Sequence, residues 1–322
     1  MQLPEFDDVL AARERIAPHV HHTPVLTSNY LNQLTGAELF FKCENLQKIG
    51  AFKARGACNA VFGLDDETAR KGVATHSSGN HAGALSYAAA RRGIKATVVM
   101  PHNAPEAKKA AVIGYGGEIV ECEPTQAARE STLADIATAS GADIVHPYDD
   151  VRVIAGQATC ALELIEDVTN LDSVVAPIGG GGLVSGTCLT LANRAPDIEM
   201  IAAEPANADD AYRSFHAGSI VERDGQQSVA DGLKTNLKPR TWHFVSKHVA
   251  DILLAEEDEI LQAMYLTWER MKIIIEPSSA VPLAAILKNK QRFAGKRVGI
   301  IVTGGNVDLQ SCPGCPRVSE TS

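Results

Sequence analysis

Eight short β-rich runs recur along the chain with helix-patterned, amphipathic stretches between them: AELFFKCE, GVATHS, KATVVMP, EIVEC, DIVHP, SVVAPI, EMIAAEP and RVGIIVTG. That alternation is the signature of an α/β protein with a parallel sheet covered by helices. A chain of 322 residues with 45% apolar content buries a large core and suggests about two domains. No low-complexity linker and no repeat of solenoid period separates them, so the chain must cross between them. The expected division is a smaller domain at residues 72–148, inserted into a larger one built from residues 1–71 and 149–322.

Composition narrows the partners. A net charge of -9 with scattered cations argues against a nucleic-acid surface and for small metabolites. The opening MQLPEFDDVLAARERIAPHV carries early acids and no apolar h-region, so it reads as a starting helix and not as a signal peptide. No stretch is apolar enough to span a bilayer. Of seven cysteines, Cys43, Cys58, Cys160 and Cys188 lie in apolar segments, as suits reduced core thiols in a cytoplasmic protein. Cys312 and Cys315 form a lone C-x-x-C in a Pro/Gly-rich tail, which reads as a frayed terminus.

Two motifs carry chemistry. SVVAPIGGGGLVSGTCLTLANR is a buried strand, four glycines (Gly179, Gly180, Gly181, Gly182) and an amphipathic helix. Glycines let the backbone wrap a ligand, and the helix N-terminus adds free N–H donors and positive dipole, a combination suited to a phosphate monoester. A Rossmann site fits poorly, because the next acid is Asp197, ahead of the following strand; a P-loop fails for want of Gly-Lys-Ser/Thr. The second motif is KIGAFKARGA, which sets Lys53 behind Phe52 among small and apolar residues. A desolvated lysine is a neutral nucleophile able to meet a carbonyl, although a lysine so bounded often snorkels to solvent. Lys48 reads as solvated and Arg55 as structural. A helix is expected from His81 to Gly93, its positive end facing the turn THSSGN.

With TPVLTS, FFKCENLQKIGAFKARGA, THSSGNHAGA, GYGG, VIAGQ, PIGGGGLVSG, AAEPANADD, ADGLK, IEPSSA and TGGNVDL in order, nearly the whole chain resembles the fold-type II pyridoxal-phosphate enzymes. The likeness is to the serine racemase and serine/threonine dehydratase group, including the bacterial 3-hydroxyaspartate dehydratases. It implies a tryptophan synthase β-like two-domain fold and a homodimer. It makes Lys53 the Schiff-base lysine and the base at Cα, with Phe52 beside the ring of pyridoxal phosphate. Asn80 would meet the ring hydroxyl, Gly179 to Gly182 the phosphate, and Thr303 the ring nitrogen. A hydroxyl there leaves the pyridine largely unprotonated and favours elimination. Ser77, Ser78, Asn80 and His81 would grip the substrate carboxylate with backbone and side-chain donors, and Ser78 matches the second-face proton donor that permits racemisation.

Outside this constellation Ser77 or Ser78 would read as a helix N-cap, Asn80 as a turn residue and Thr303 as a strand-end hydroxyl. His76 reads as a core or turn histidine, not a catalyst. The resemblance also implies a divalent cation on Glu204, the Ala208 carbonyl and Asp210: Mg²⁺ first, Ca²⁺ or Mn²⁺ as alternatives. Without the family, a solvated acidic loop is the simpler reading of that segment. Tyr115, Lys272 and Asn306 fall where nucleotide contacts of mammalian racemases lie, a pattern too thin to predict an effector. Tyr148, TWHFV and EPSSAVPLA look like the hydroxyaspartate branch. They point to 3-hydroxyaspartate dehydration, with Ser77, Ser78, Arg129, Lys234 and Thr235 as carboxylate contacts; the alternative is a serine racemase with serine/threonine dehydratase activity. A cofactor-binding protein that has lost turnover is disfavoured by the intact Lys53, Ser78 and Thr303.

Overall fold

The computed structural model describes residues 1–225 and 227–309. Its strands are β1 (Val25–Leu26), β2 (Glu38–Cys43), β3 (Val73–His76), β4 (Ala96–Pro101), β5 (Glu118–Cys122), β6 (Asp143–Ile144), β7 (Ser173–Pro177), β8 (Glu199–Pro205), β9 (Val249–Ala255) and β10 (Arg297–Val302). They form two sheets, ordered β1-β2-β10-β7-β8-β9 and β5-β4-β3-β6. Every pairing is parallel except β1 on β2. The four strands of the smaller sheet all fall within residues 72–148.

All eight anticipated runs are strands. β1 and β9 were not anticipated: β1 has two residues, and β9, VADILLA, is rich in alanine and leucine, follows the helix Pro239–His248 directly and lies at the sheet edge. Neither carries the Val/Ile-rich signal of a buried central strand. The opening helix is Phe6–Ile16. Local chemistry sets several other helix bounds. Thr125 caps Gln126–Ser140, which stops at Gly141 in the left-handed region, and Asn80–Arg92 stops the same way at Gly93.

The six-stranded sheet is covered on both faces, so its strands alternate between two cores. Val175, Val298 and Ile300 pack with Ile260, Met264 and Leu283 on one side. Val174, Ala176 and Ile301 pack with Leu162, Val184 and Phe244 on the other. The helix after the glycine turn, Gly182–Arg194, is not amphipathic as expected: its first ten residues are all buried, because it is wedged between the helices Val151–Asp167 and Pro239–His248. A third core packs the helices Lys53–Phe62, Asn80–Arg92 and Val151–Asp167 against the smaller sheet through Ala54, Val61, Val73, Leu85 and Val153. Here Gly156 meets Gly56 so closely that a Cβ on Gly156 would lie 2.6 Å from the Gly56 Cα.

Arg55 is structural, as expected, and completely buried. Its guanidinium forms two 2.7 Å hydrogen bonds to Glu44 and two to Glu163. Buried Lys42 adds a 2.8 Å ion pair to Glu163 and donates to the Thr23 carbonyl.

Candidate active site

The carboxyl ends of β3, β6, β7 and β10 lead into the segments that hold the predicted site residues, the place where open parallel sheets bind ligands. Lys53 is the first residue of the helix Lys53–Phe62. Its loop is stitched to the end of β10: the Phe52 N–H donates to the Thr303 carbonyl at 2.9 Å, and Ala51 bridges to Gly304. The Lys53 Nζ donates to the Pro147 carbonyl at 2.8 Å and lies 5.0 Å from the Phe52 ring centroid. Burial lowers its pKa to about 8, against the opposing pull of the Glu276 charge. A substantial neutral fraction near pH 8 makes the amine a nucleophile and a base.

Tyr148 follows Pro147 and lies on the glycine turn. A Cβ on Gly180 would sit 2.6 Å from the Tyr148 ring, so the ring and the turn are in direct contact. Gly181 caps the helix Gly182–Arg194 with φ +85, a conformation that favours glycine. The first N–H groups of that helix have no intrahelical acceptor, and Gly182, Leu183 and Val184 are buried. A phosphate is the fitting occupant. Thr303 is buried, and its hydroxyl shares a 2.8 Å hydrogen bond with Ser279, whose hydroxyl also binds the Gly304 carbonyl. These residues suit pyridoxal phosphate: a phosphate cradle, an amine and a fixed hydroxyl around one cleft.

Asn80 begins the helix Asn80–Arg92. Its amide donates to both oxygens of Glu276 (2.9 and 3.1 Å), and its carbonyl accepts from Asn306 at 2.9 Å. Glu276 is buried, and burial raises its pKa to about 7. Sequence reasoning missed Glu276 and Ser279, although both lie in the quoted IEPSSA. No local pattern separates them from ordinary helix-start residues; only the fold places Glu276 against Asn80. Asn306 belongs to this network and also donates to the Ile49 carbonyl.

Ser77 and Ser78 are half-buried in the turn, and the Ser78 hydroxyl has no hydrogen bond among the described residues. His81 departs from expectation. Its side chain is buried with Nε2 on the Val145 carbonyl at 3.1 Å, and burial followed by the Lys53 charge lowers its pKa to about 3. A neutral ring spending its proton on Val145 cannot donate to a carboxylate, which leaves the His81 backbone N–H. His76 and His146 stand edge to face at 6.0 Å. His146 Nδ1 accepts from the backbone of Tyr148 and Asp149.

Arg129 lies on the helix Gln126–Ser140, half-buried, its Nε enclosed and unpartnered. Lys234 turns to Gln227 at 3.3 Å. Thr235 is exposed, in a loop whose flanking Leu233 and Leu237 press on Gly179 and Gly181.

Glu204 ends in a buried carboxylate that accepts from Ala211 N (2.9 Å) and Tyr212 N (2.7 Å). Neither side-chain oxygen of buried Asp210 has a hydrogen-bond partner among the described residues. Burial raises the Asp210 pKa to about 7; burial and the Asp210 charge raise that of Glu204. No cluster of three or more His, Cys, Asp or Glu stands among the described residues, but two carboxylates with a backbone carbonyl and waters are a fitting donor set for a hard cation. Cys312 and Cys315 lie outside the described residues. Among the described residues, no helix is long and apolar enough to cross a membrane.

Residues 16–304 match the model of the family described as pyridoxal-phosphate dependent enzyme. The chain belongs to that family, and its fold is that of the fold-type II members. Among individual relatives, the β-hydroxyaspartate dehydratase of Paracoccus denitrificans (strain Pd 1222) is 63% identical over 313 residues, 97% of this chain and 99% of that one. A serine racemase of Dictyostelium discoideum is 51% identical over 308 residues, 94% of this chain and 95% of that one. The crystal structure of serine racemase from Dictyostelium discoideum superposes with a TM-score of 0.91 at 50% identity, covering 95% of this chain and 99% of that one.

Proposed function

We propose that this enzyme is a pyridoxal-phosphate-dependent ammonia-lyase that dehydrates a β-hydroxy amino acid, with 3-hydroxyaspartate preferred and oxaloacetate and ammonia as final products. The observation that carries the reading is the half-buried Lys53, its amine held at the Pro147 carbonyl beside the glycine turn. The choice of substrate is supported by the 63% identity to a β-hydroxyaspartate dehydratase.

Gly179 to Gly182 would hold the cofactor phosphate, Phe52 would flank its ring, Asn80 would meet the ring hydroxyl and Thr303 the ring nitrogen. Bound there, pyridoxal phosphate supplies an electron sink for charge developing at Cα. Lys53 removes the Cα proton, a role suited to an amine with a pKa near 8. The N–H groups at the start of Asn80–Arg92, with Ser77 and Ser78, hold the α-carboxylate, and Arg129 supplies a guanidinium on the same side. Tyr148 shapes the wall against the glycine turn. Loss of the β-hydroxyl as water leaves an enamine that tautomerises and hydrolyses, releasing ammonia.

A second reading, serine racemase, is favoured by one observation: the Ser78 hydroxyl has no partner among the described residues and is placed to deliver a proton. Holoenzyme assays with erythro- and threo-3-hydroxyaspartate, L-serine, D-serine and L-threonine decide between them; preference for serine overturns the first reading. Chiral analysis of recovered serine tests the second. Lys53→Ala should lose the visible absorbance of bound cofactor and the activity, while Lys48→Ala keeps both.

Three further parts belong to this proposal. Glu204, the Ala208 carbonyl and Asp210 hold a divalent cation, Mg²⁺ first, supported by the unpartnered Asp210 carboxylate; turnover unchanged after exhaustive chelation would count against it. Residues 72–148 form a small domain, supported by the separate four-stranded sheet. The enzyme works as a cytoplasmic homodimer, with the buried free thiols in keeping with a reducing compartment; light scattering tests the oligomer.

A further inference from the structure

A substrate with two carboxylates needs two anion sites, and the Ser77–His81 turn provides one. The second has to lie across the cleft, on a cation that no acid of the protein already holds. Most cations around the site are taken. Arg240 binds Asp149 at 2.6 Å, Arg152 binds Asp150 and Asp143, and Lys108 pairs with Asp231. Lys234 donates to Gln227.

Among the described residues Arg129 is also held by no acid, but it is half-buried with its Nε enclosed. Lys238 is exposed, and its ammonium has no hydrogen bond or ion pair among the described residues. Its backbone, by contrast, is fixed at the glycine turn. The Lys238 N–H donates to the Thr241 hydroxyl at 3.0 Å, and that hydroxyl donates back to the Lys238 carbonyl at 3.1 Å. A Cβ on Gly181 would lie 2.8 Å from the Leu237 side chain and 2.9 Å from that of Thr241. The neighbours on both sides of Lys238 are therefore pressed onto the turn that faces Lys53.

The charge of Lys238 is felt by two histidines of the site. Both His76 and His146 have lowered pKa values, to about 4 for His146. Burial is the main cause in each, and Lys238 is among the charges that add to it. His146 also feels His76 and Lys53, against Asp150; His76 feels Arg129, against Glu130. His146 directly precedes Pro147, the residue that holds the Lys53 amine. Lys238, fixed by its backbone at the glycine turn, is thus within electrostatic reach of both imidazoles.

We propose that Lys238 is the specificity residue for the second carboxylate of the substrate: anchored by Leu237 and Thr241 on the glycine turn, its unpaired ammonium binds the carboxylate carried on Cβ. The inference rests on the proposed dehydration of a dicarboxylic amino acid and names the group that selects it. A monocarboxylic substrate such as serine leaves this ammonium in water and gains nothing from it.

The test uses holoenzyme and a pair of non-reacting probes that differ by one carboxylate, succinate and propionate. Calorimetric titration should show succinate binding the wild type more tightly than propionate. In Lys238→Ala the succinate Kd should rise about tenfold or more, the scale of one charge-assisted hydrogen bond, with propionate unmoved; Lys238→Arg should retain succinate binding. In turnover, Lys238→Ala should raise KM for 3-hydroxyaspartate with little change in kcat, lowering its kcat/KM relative to that for L-serine by about tenfold. An unchanged melting temperature and visible absorbance show that the variant is folded and loaded. The proposal is overturned if Lys238→Ala binds succinate as the wild type does, or if the wild type does not discriminate succinate from propionate. A wild type that prefers serine overturns the substrate reading instead, and the succinate comparison still judges Lys238.

Discussion

Two pairs of buried carboxylates are treated in opposite ways by this fold. Glu44 and Glu163 enclose the Arg55 guanidinium in four 2.7 Å hydrogen bonds. For Glu163, burial alone would raise the pKa, yet the hydrogen bonds and charge of Arg55, with Lys42, leave it lowered. Glu204 and Asp210 are equally enclosed but face no cation at hydrogen-bond distance, and both are raised. The first pair is complete within the chain and serves as scaffold. The second has no such partner among the described residues, which is where the proposed cation would bind.

The sharpest way to break the comparison is to give the first pair the condition of the second. Arg55→Ala leaves Glu44 and Glu163 buried without their partner and should destabilise the protein by about 3–5 kcal/mol, read as a lower urea midpoint at unchanged slope. The converse is to complete the second pair. Saturating Mg²⁺, at about a hundredfold over its Kd, should add about 2.7 kcal/mol. Asp210→Asn should abolish that gain while leaving the metal-free protein at least as stable, because the buried charge is gone; an equal Mg²⁺ response in the variant would place the ion elsewhere.

Glu276 sharpens the contrast from a third direction, since it is buried against neutral amide donors. Its pKa of about 7, above the ordinary 4.5, means that the folded state holds the proton more tightly than the unfolded chain. Its contribution is therefore fully present below about pH 4.5 and is lost as pH rises through about 7. Glu276→Gln should flatten this part of the stability profile, measured by thermal melts of cofactor-free protein between pH 4.5 and 8. The smallest effect belongs to solvent-exposed charge. Lys288 contacts Glu256 and Glu259 at 3.3 and 3.1 Å, and Lys288→Ala should cost under about 1 kcal/mol.

Much of this was legible in the sequence because it is local. The eight short apolar strand runs, the helix stopped at Gly93, the glycine turn and the apolar setting of Lys53 are all written within a dozen residues of themselves. What was not legible is which distant group each polar side chain meets. His81 sits in the expected turn, but its imidazole belongs to Val145, 64 positions away. Glu276 finds Asn80 across 196 positions, and Lys238 gains its setting from Gly181 and Thr241. Arg55 is the intermediate case: a cation among small residues signals burial, but not which two acids receive it.

The amide of Asn80 belongs to one sheet's helix, while Glu276 and Asn306 belong with the other sheet, and the Lys108–Asp231 ion pair spans the same divide. Swinging the smaller sheet outward would tear this polar seam and strand Glu276 without its donors. The Ser77–His81 turn lies on the smaller sheet's side of this polar seam, so the groups it offers are tied to the larger sheet through Asn80.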